Sequence, residues 1–239
     1  MSSYKGHTLF GLILGLLFSF NPLAVGLAVI GANIPDFDHS FKTNQVYKII
    51  IFGILVSFSL YVLNLPYYLG LIIIFLGVTF YFSEHRSFTH SIFGILVLAA
   101  SVSLIIIWAF ELISCISGIQ TDYIMLILIA LVSFLFLNKR VLPVFIPVLF
   151  ISSIFFHSLQ ISYIQIVFFL FLGLISHSVL DAFSPAGVKF LAPLSNNAYH
   201  KNFAYAVVFI LVVLIILIKS PFLFSQFEGF INSSGVYFL

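Results

Sequence analysis

The sequence predicts an all-α integral membrane protein, with about eight to nine transmembrane helices and a polar site at their cytoplasmic ends. Three observations lead there. The chain is 62% apolar and only 7% charged over 239 residues, too little polar surface to clothe a water-facing globule. Its apolar runs are continuous rather than alternating, which disfavours a transmembrane barrel. The few polar side chains are concentrated in short islands between those runs. The mean hydropathy of +1.25 agrees.

In chain order, Thr8–Phe20 and Leu23–Ile34 are apolar and separated by Asn21-Pro22, which reads either as a helical hairpin or as one kinked span. No small-residue cleavage site follows, so this first segment is expected to stay in the membrane. A polar stretch, Asp36–Lys48, comes next. Ile49–Leu63 and Tyr67–Phe82 form a helical pair around Asn64-Leu65-Pro66, and Ser83–Ser91 is polar again. Ile92–Ile113 is long enough to cross a bilayer. Tyr123–Leu137 and Val141–Phe156 flank Asn138-Lys139-Arg140. Tyr163–Phe183 carries His177 and Asp181, Ser184–Asn202 is a polar loop, and Phe203–Ile218 is the last span before a mixed tail from Lys219.

Charge placement supplies a topology. If the first segment is a hairpin, alternation of about nine crossings puts the polar islands on one side. Eight of the nine basic residues fall there: Lys5, Lys42, Lys48, Arg86, Lys139, Arg140, Lys189 and Lys201. Lys219 alone falls opposite, and the positive-inside rule makes the populated side cytoplasmic. If Thr8–Ile34 crosses once, His7 is parted from Asp36. With a net charge of +2 there is no nucleic-acid footprint, and the single Cys115 excludes an intrachain disulfide or a cysteine-based zinc cluster within one chain.

Three islands can carry chemistry. His85-Arg86-Ser87-Phe88-Thr89-His90 packs two imidazoles and a guanidinium together, and a bend or helix start at Thr89 is needed to converge the two rings. Its bland reading pairs Arg86 with Glu84 and uses Ser87 and Thr89 as caps for the helix entering Ile92. Its functional reading makes Arg86 a bidentate clamp for an anion such as a phosphate. Pro35-Asp36-Phe37-Asp38-His39 offers two carboxylates and an imidazole, a donor set suited to zinc, manganese or iron, or else an N-cap at Asp38 or Ser40. His177 and Asp181 lie one helical turn apart on one face, able to share a cation or simply a hydrogen bond. Ionisable groups at a membrane boundary are costly unless solvated, paired or metal-bound, so their clustering points to a site. Gly-rich phosphate loops, the nucleophile elbow and His-Glu-x-x-His are all missing from the sequence.

These blocks, with Gly6-His7 before them and Ser176-His177-Ser178-Val179-Leu180-Asp181-Ala182-Phe183-Ser184-Pro185-Ala186-Gly187-Val188 after them, resemble the YdjM-like family of predicted membrane-bound, metal-dependent hydrolases. The last block ends near Leu191-Ala192-Pro193, and Ser87 stands where the family usually has glycine. The resemblance covers mainly residues 1–95 and 165–195, leaving 96–160 as a helical spacer within a single polytopic domain. It implies a metal ligand set drawn from His7, Asp36, Asp38, His39, His85, His90, His177 and Asp181, for one or two divalent ions, zinc first and manganese or iron as alternatives. Asp38 or Glu84 is then the expected general base, and Arg86 the stabiliser of an anionic group. A small-molecule or lipid substrate, phosphoester or phospholipid-like, is expected at the membrane surface. The alternative is a non-enzymatic protein, such as a cation or proton-coupled transporter, whose site would lie nearer the midplane on interrupted helices.

Overall fold

The computed structural model describes residues 4–36, 43–83, 87–156 and 159–233, with the side chains of 43–45 and 222–233 excepted. Among them are nine α-helices: α1 Tyr4–Phe18, α2 Pro22–Gly31, α3 Thr43–Val62, α4 Tyr68–Phe82, α5 Ile92–Ser117, α6 Thr121–Phe136, α7 Leu142–Ile154, α8 Tyr163–Ala182 and α9 Lys201–Ser233. A 3-10 turn, Phe88–His90, precedes α5. Extended pairing among the described residues is limited to one antiparallel bridge, Val188 with Tyr199.

The all-helical expectation holds, but the count of eight to nine crossings is corrected. Three described helical stretches are long and apolar enough to cross a membrane: Ile92–Ser117, Tyr163–Ala182 and Lys201–Pro221. The other apolar helices, Tyr4–Phe18, Pro22–Gly31, Val46–Val62, Tyr68–Phe82, Thr121–Phe136 and Leu142–Ile154, are shorter. Hydropathy counted residues that the turns consume. Between α3 and α4, for instance, Leu63–Tyr67 leaves the helical path, with Asn64 in the left-handed region at φ 55°. A helix of ten residues such as α2 is about 15 Å long, half of a roughly 30 Å hydrocarbon core.

The first segment is a hairpin. α1 and α2 pack against each other, and a Cβ placed on Gly11 would stand 2.6 Å from the Cβ of Ala32 and 2.9 Å from the carbonyl oxygen of Ala28. Asn21 makes the reversal: its Oδ1 accepts from Leu23 N at 2.9 Å as the α2 N-cap, ahead of Pro22, and its Nδ2 donates to the Gln160 carbonyl at 3.0 Å.

α2 is the centre of the molecule. Every one of its residues is buried, against α1, α6, α7 and α8. Its sequence has no polar residue and is apolar all round, the pattern of an enclosed helix. Small residues let α8 approach backbone to backbone. A Cβ on Gly173 would stand 2.7 Å from Ala32 N, and one on Gly31 would stand 3.1 Å from Gly173 Cα. α3 and α4 form a second hairpin that joins this core through α5, while α9 packs on α8 and leaves most of its apolar surface outward.

Two ends of the bundle can be told apart by contacts. At one, Arg140 Nη1 donates to Tyr4 Oη at 3.3 Å, the Tyr47 and Tyr81 rings stand 5.9 Å apart, and Ile92 N donates to the Phe190 carbonyl at 2.9 Å. At the other, Asn21 meets Gln160, Leu159 N donates to Asp122 at 3.3 Å, and Lys219 Nζ lies 5.9 Å from the centre of the Phe20 ring. Of the basic residues, Lys5, Lys48, Lys139, Arg140, Lys189 and Lys201 therefore belong to the first end and Lys219 to the second, while Lys42 and Arg86 lie outside the described residues.

Candidate metal centre

Four stretches bring their ends to the first end of the bundle, each for a local reason. His7 is in the first turn of α1. Asp36 follows the end of α2, where Ala32 and Asn33 turn the chain; buried Asn33 donates to the Val29 carbonyl at 2.8 Å and its Oδ1 lies 3.1 Å from Thr8 Oγ1. His90 closes the 3-10 turn, whose successor Ser91 caps α5 by accepting from Gly94 N at 3.1 Å and donating to the Phe88 carbonyl at 2.7 Å. The cap is thus Ser91, rather than Ser87 or Thr89. His177 and Asp181 come from the last turns of α8.

Their polar atoms converge. Nε2 of His7 is 3.4 Å from Asp181 Oδ1, and Nε2 of His90 is 3.4 Å from Asp181 Oδ2. Nε2 of His177 is 3.7 Å from both Asp181 Oδ2 and Asp36 Oδ1, and 3.2 Å from Nε2 of His90. The His7 and His177 rings stack at 3.8 Å, while His90 meets His177 edge to face at 5.0 Å. His7, His90, His177 and Asp181 are at most 2% exposed; the Asp36 side chain is 34% exposed and forms the open wall.

Two triads, His7–Asp36–His177 and His90–His177–Asp181, each bring their donor atoms within 4.8 Å of one another. They describe one centre. His177 Nδ1 lies 2.7 Å from the Ala32 carbonyl, which can only accept, so Nδ1 carries the proton and Nε2 holds the ring's single free lone pair. A lone pair shared by both triads serves one ion. The donors fit such an ion: zinc at about 2.0–2.1 Å from each ligand in a tetrahedron separates ligand atoms by about 3.3 Å. The observed separations, 3.2, 3.4 and 3.7 Å, bracket that value. Imidazole and carboxylate donors without thiolate also suit manganese or iron.

Of the residues singled out from sequence, His7, Asp36, His90, His177 and Asp181 are thereby gathered. Asp38, His39, Glu84, His85 and Arg86 lie outside the described residues. Sequence reasoning missed the groups that hold the rings. The Ala32 carbonyl left no side-chain signal at all. Thr89, whose Oγ1 is 3.0 Å from His90 Nδ1, and Ser178, which donates to the His90 carbonyl at 3.2 Å, were legible only as hydroxyls next to motif histidines.

The model of one family, described as YdjM inner membrane protein, matches residues 1–238. The chain belongs to that family. No curated protein and no solved structure matches. Membership of the YdjM family agrees with the apolar helices and with a bilayer as their surroundings. The YdjM chain gathers His7, Asp36, His90, His177 and Asp181 where the ends of α1, α2, the 3-10 turn and α8 meet, at one end of the bundle.

Proposed function

We propose that this protein is a membrane-embedded, metal-dependent hydrolase acting at the cytoplasmic face on a phosphoester or phospholipid-like substrate. The observation that carries it is the convergence of five ionisable side chains from four chain segments on one nearly closed point. Burying three imidazoles and a carboxylate in an apolar bundle is expensive unless they serve one another or a cation. His7, Asp36, His90, His177 and Asp181 would hold a divalent ion, and Asp38, His39 and His85 are the further ligands the sequence offers. Such an ion supplies Lewis-acid polarisation of a scissile ester and acidifies water at neutral pH.

The chain's own groups have distinct tasks. The Ala32 carbonyl fixes the His177 ring with its Nε2 lone pair inward. Asp181 spans the site, one oxygen toward His7 and the other toward His90 and His177, and so sets their mutual positions. Asp36 stands at the open wall, where substrate enters. Asp38, two residues on, or Glu84 takes the proton from water, and Arg86 holds the anionic group being released. The basic residues gathered at this end support a cytoplasmic placement.

Purified protein, wild type beside His90→Ala and Asp181→Ala, tests the reading by elemental analysis and by turnover of phosphodiesters, phosphomonoesters and phospholipids. Stoichiometric metal in wild type, lost from both variants, with hydrolysis of one class, is expected. A metal-free wild type would sink the proposal. Bound metal with phosphodiesters, phosphomonoesters and phospholipids all left untouched would instead favour the transporter alternative.

A further inference from the structure

His90 and His177 are held by different kinds of partner, and the difference matters. The Ala32 carbonyl behind His177 can only accept, so that ring keeps one tautomer. Thr89 Oγ1, 3.0 Å behind His90 Nδ1, belongs to a hydroxyl that can donate or accept, and Thr89 and His90 are both fully buried. In front, the two Nε2 atoms face each other at 3.2 Å. That space suits either a proton or a cation between the rings.

With a proton there and both rings neutral, His177 is already protonated on Nδ1, so the donor is Nε2–H of His90. His90 Nδ1 then carries a lone pair, and the Thr89 hydroxyl donates to it. With a cation there, both Nε2 atoms present lone pairs, the His90 proton sits on Nδ1, and Thr89 Oγ1 accepts from it. Between the two states one proton leaves Nε2 to solvent and one arrives at Nδ1, so the ring stays neutral and the count balances.

We propose that Thr89 is the positioning residue of the centre, a two-way hydrogen-bond partner that lets His90 exchange tautomers between metal-free and metal-loaded forms without moving its ring. The inference rests on the metal reading above and concerns a residue that the sequence offered only as a bend or a helix cap. A partner behind a ligating histidine is typically worth about 10–100-fold in metal affinity.

The test compares wild type, Thr89→Val and Thr89→Ser, each stripped of metal and titrated with zinc, with nitrogen NMR of the labelled imidazoles before and after. Thr89→Val keeps the shape without the hydroxyl; Thr89→Ser restores it. Expected are an Nε2–H His90 in stripped wild type, an Nδ1–H His90 after loading, zinc affinity lower by about 10–100-fold in Thr89→Val, and recovery in Thr89→Ser. Thermal midpoints in detergent identify a variant that has merely lost its fold, in which case the His90 tautomer of wild type before and after loading carries the test. Wild-type affinity in a folded Thr89→Val, or the same His90 tautomer before and after loading, overturns the role of Thr89. A wild type that takes up no zinc sinks the metal reading instead. The stripped spectra still judge Thr89 then: ring nitrogens of His90 identical in wild type and folded Thr89→Val overturn its role, and a changed tautomer balance supports it.

Discussion

His177 donates from Nδ1 to the Ala32 carbonyl across 2.7 Å, joining the last turns of α8 to the buried carbonyl end of α2. The last carbonyls of a helix lack intrahelical partners, and here one of them orients a candidate ligand. The metal centre and the packing of two helices are therefore one structural unit.

Gly173→Ala should uncouple that unit. The new methyl would stand 2.7 Å from Ala32 N, against backbone that cannot yield by a rotamer change. A loss of about 1–3 kcal/mol is expected from overpacking, read as a lowered thermal midpoint in detergent together with lowered metal content. Unchanged values for both would mean that α2 and α8 are not in backbone contact.

Asp181 and Asp36 should differ in kind. Asp181→Asn removes the buried carboxylate that three imidazoles approach, and metal affinity should fall by more than the roughly 10–100-fold typical of an outer hydrogen-bond partner. Asp36→Asn, at the open wall, should keep more of the metal than Asp181→Asn does. Isothermal titration with zinc decides; equal losses would refute the distinction drawn from burial.

Tyr163 donates its hydroxyl to Glu111 near the opposite end of α5 and α8, far from the centre. Tyr163→Phe should lower stability by about 1 kcal/mol, as for a single hydrogen bond to a charged acceptor in an exposed setting. Metal content should stay at the wild-type level. A variant that loses metal would show the two ends to be coupled.

The two ends can be assigned to membrane faces by cysteine labelling in a Cys115→Ser background. Lys139→Cys should react with an impermeant maleimide only after the membrane is opened, and Lys219→Cys in intact cells. Reaction of both from the same side would remove the support for a cytoplasmic site.

Much of this was legible in residue spacing. The i,i+4 pair His177–Asp181 follows from helix geometry, whereas the convergence of His85 with His90 across a bend at Thr89 falls on a residue outside the described ones. The place of His7 depended on a hairpin that Asn21-Pro22 allowed but did not require. What the sequence could not tell is which apolar helix faces lipid and which faces protein, since both surroundings select the same residues. Hydropathy therefore counted Leu23–Ile34 as a span, whereas α2 is a short helix enclosed by its neighbours. Backbone groups such as the Ala32 carbonyl leave no trace in a side-chain pattern.

The enclosure of α2 also sets an order of assembly. Its neighbours α6, α7 and α8 run from Thr121 to Ala182, so the ribosome makes them long after residues 22–31. A ten-residue helix, about 15 Å long, is too short to span a roughly 30 Å hydrocarbon core by itself before those helices arrive. The earliest part of the chain is thus among the last to be seated, and His7 and Asp36 reach their partners only when it is. A protein truncated before α8 would lack more than two ligands; its N-terminal hairpin would have nowhere to dock, and quality-control proteases would meet it exposed.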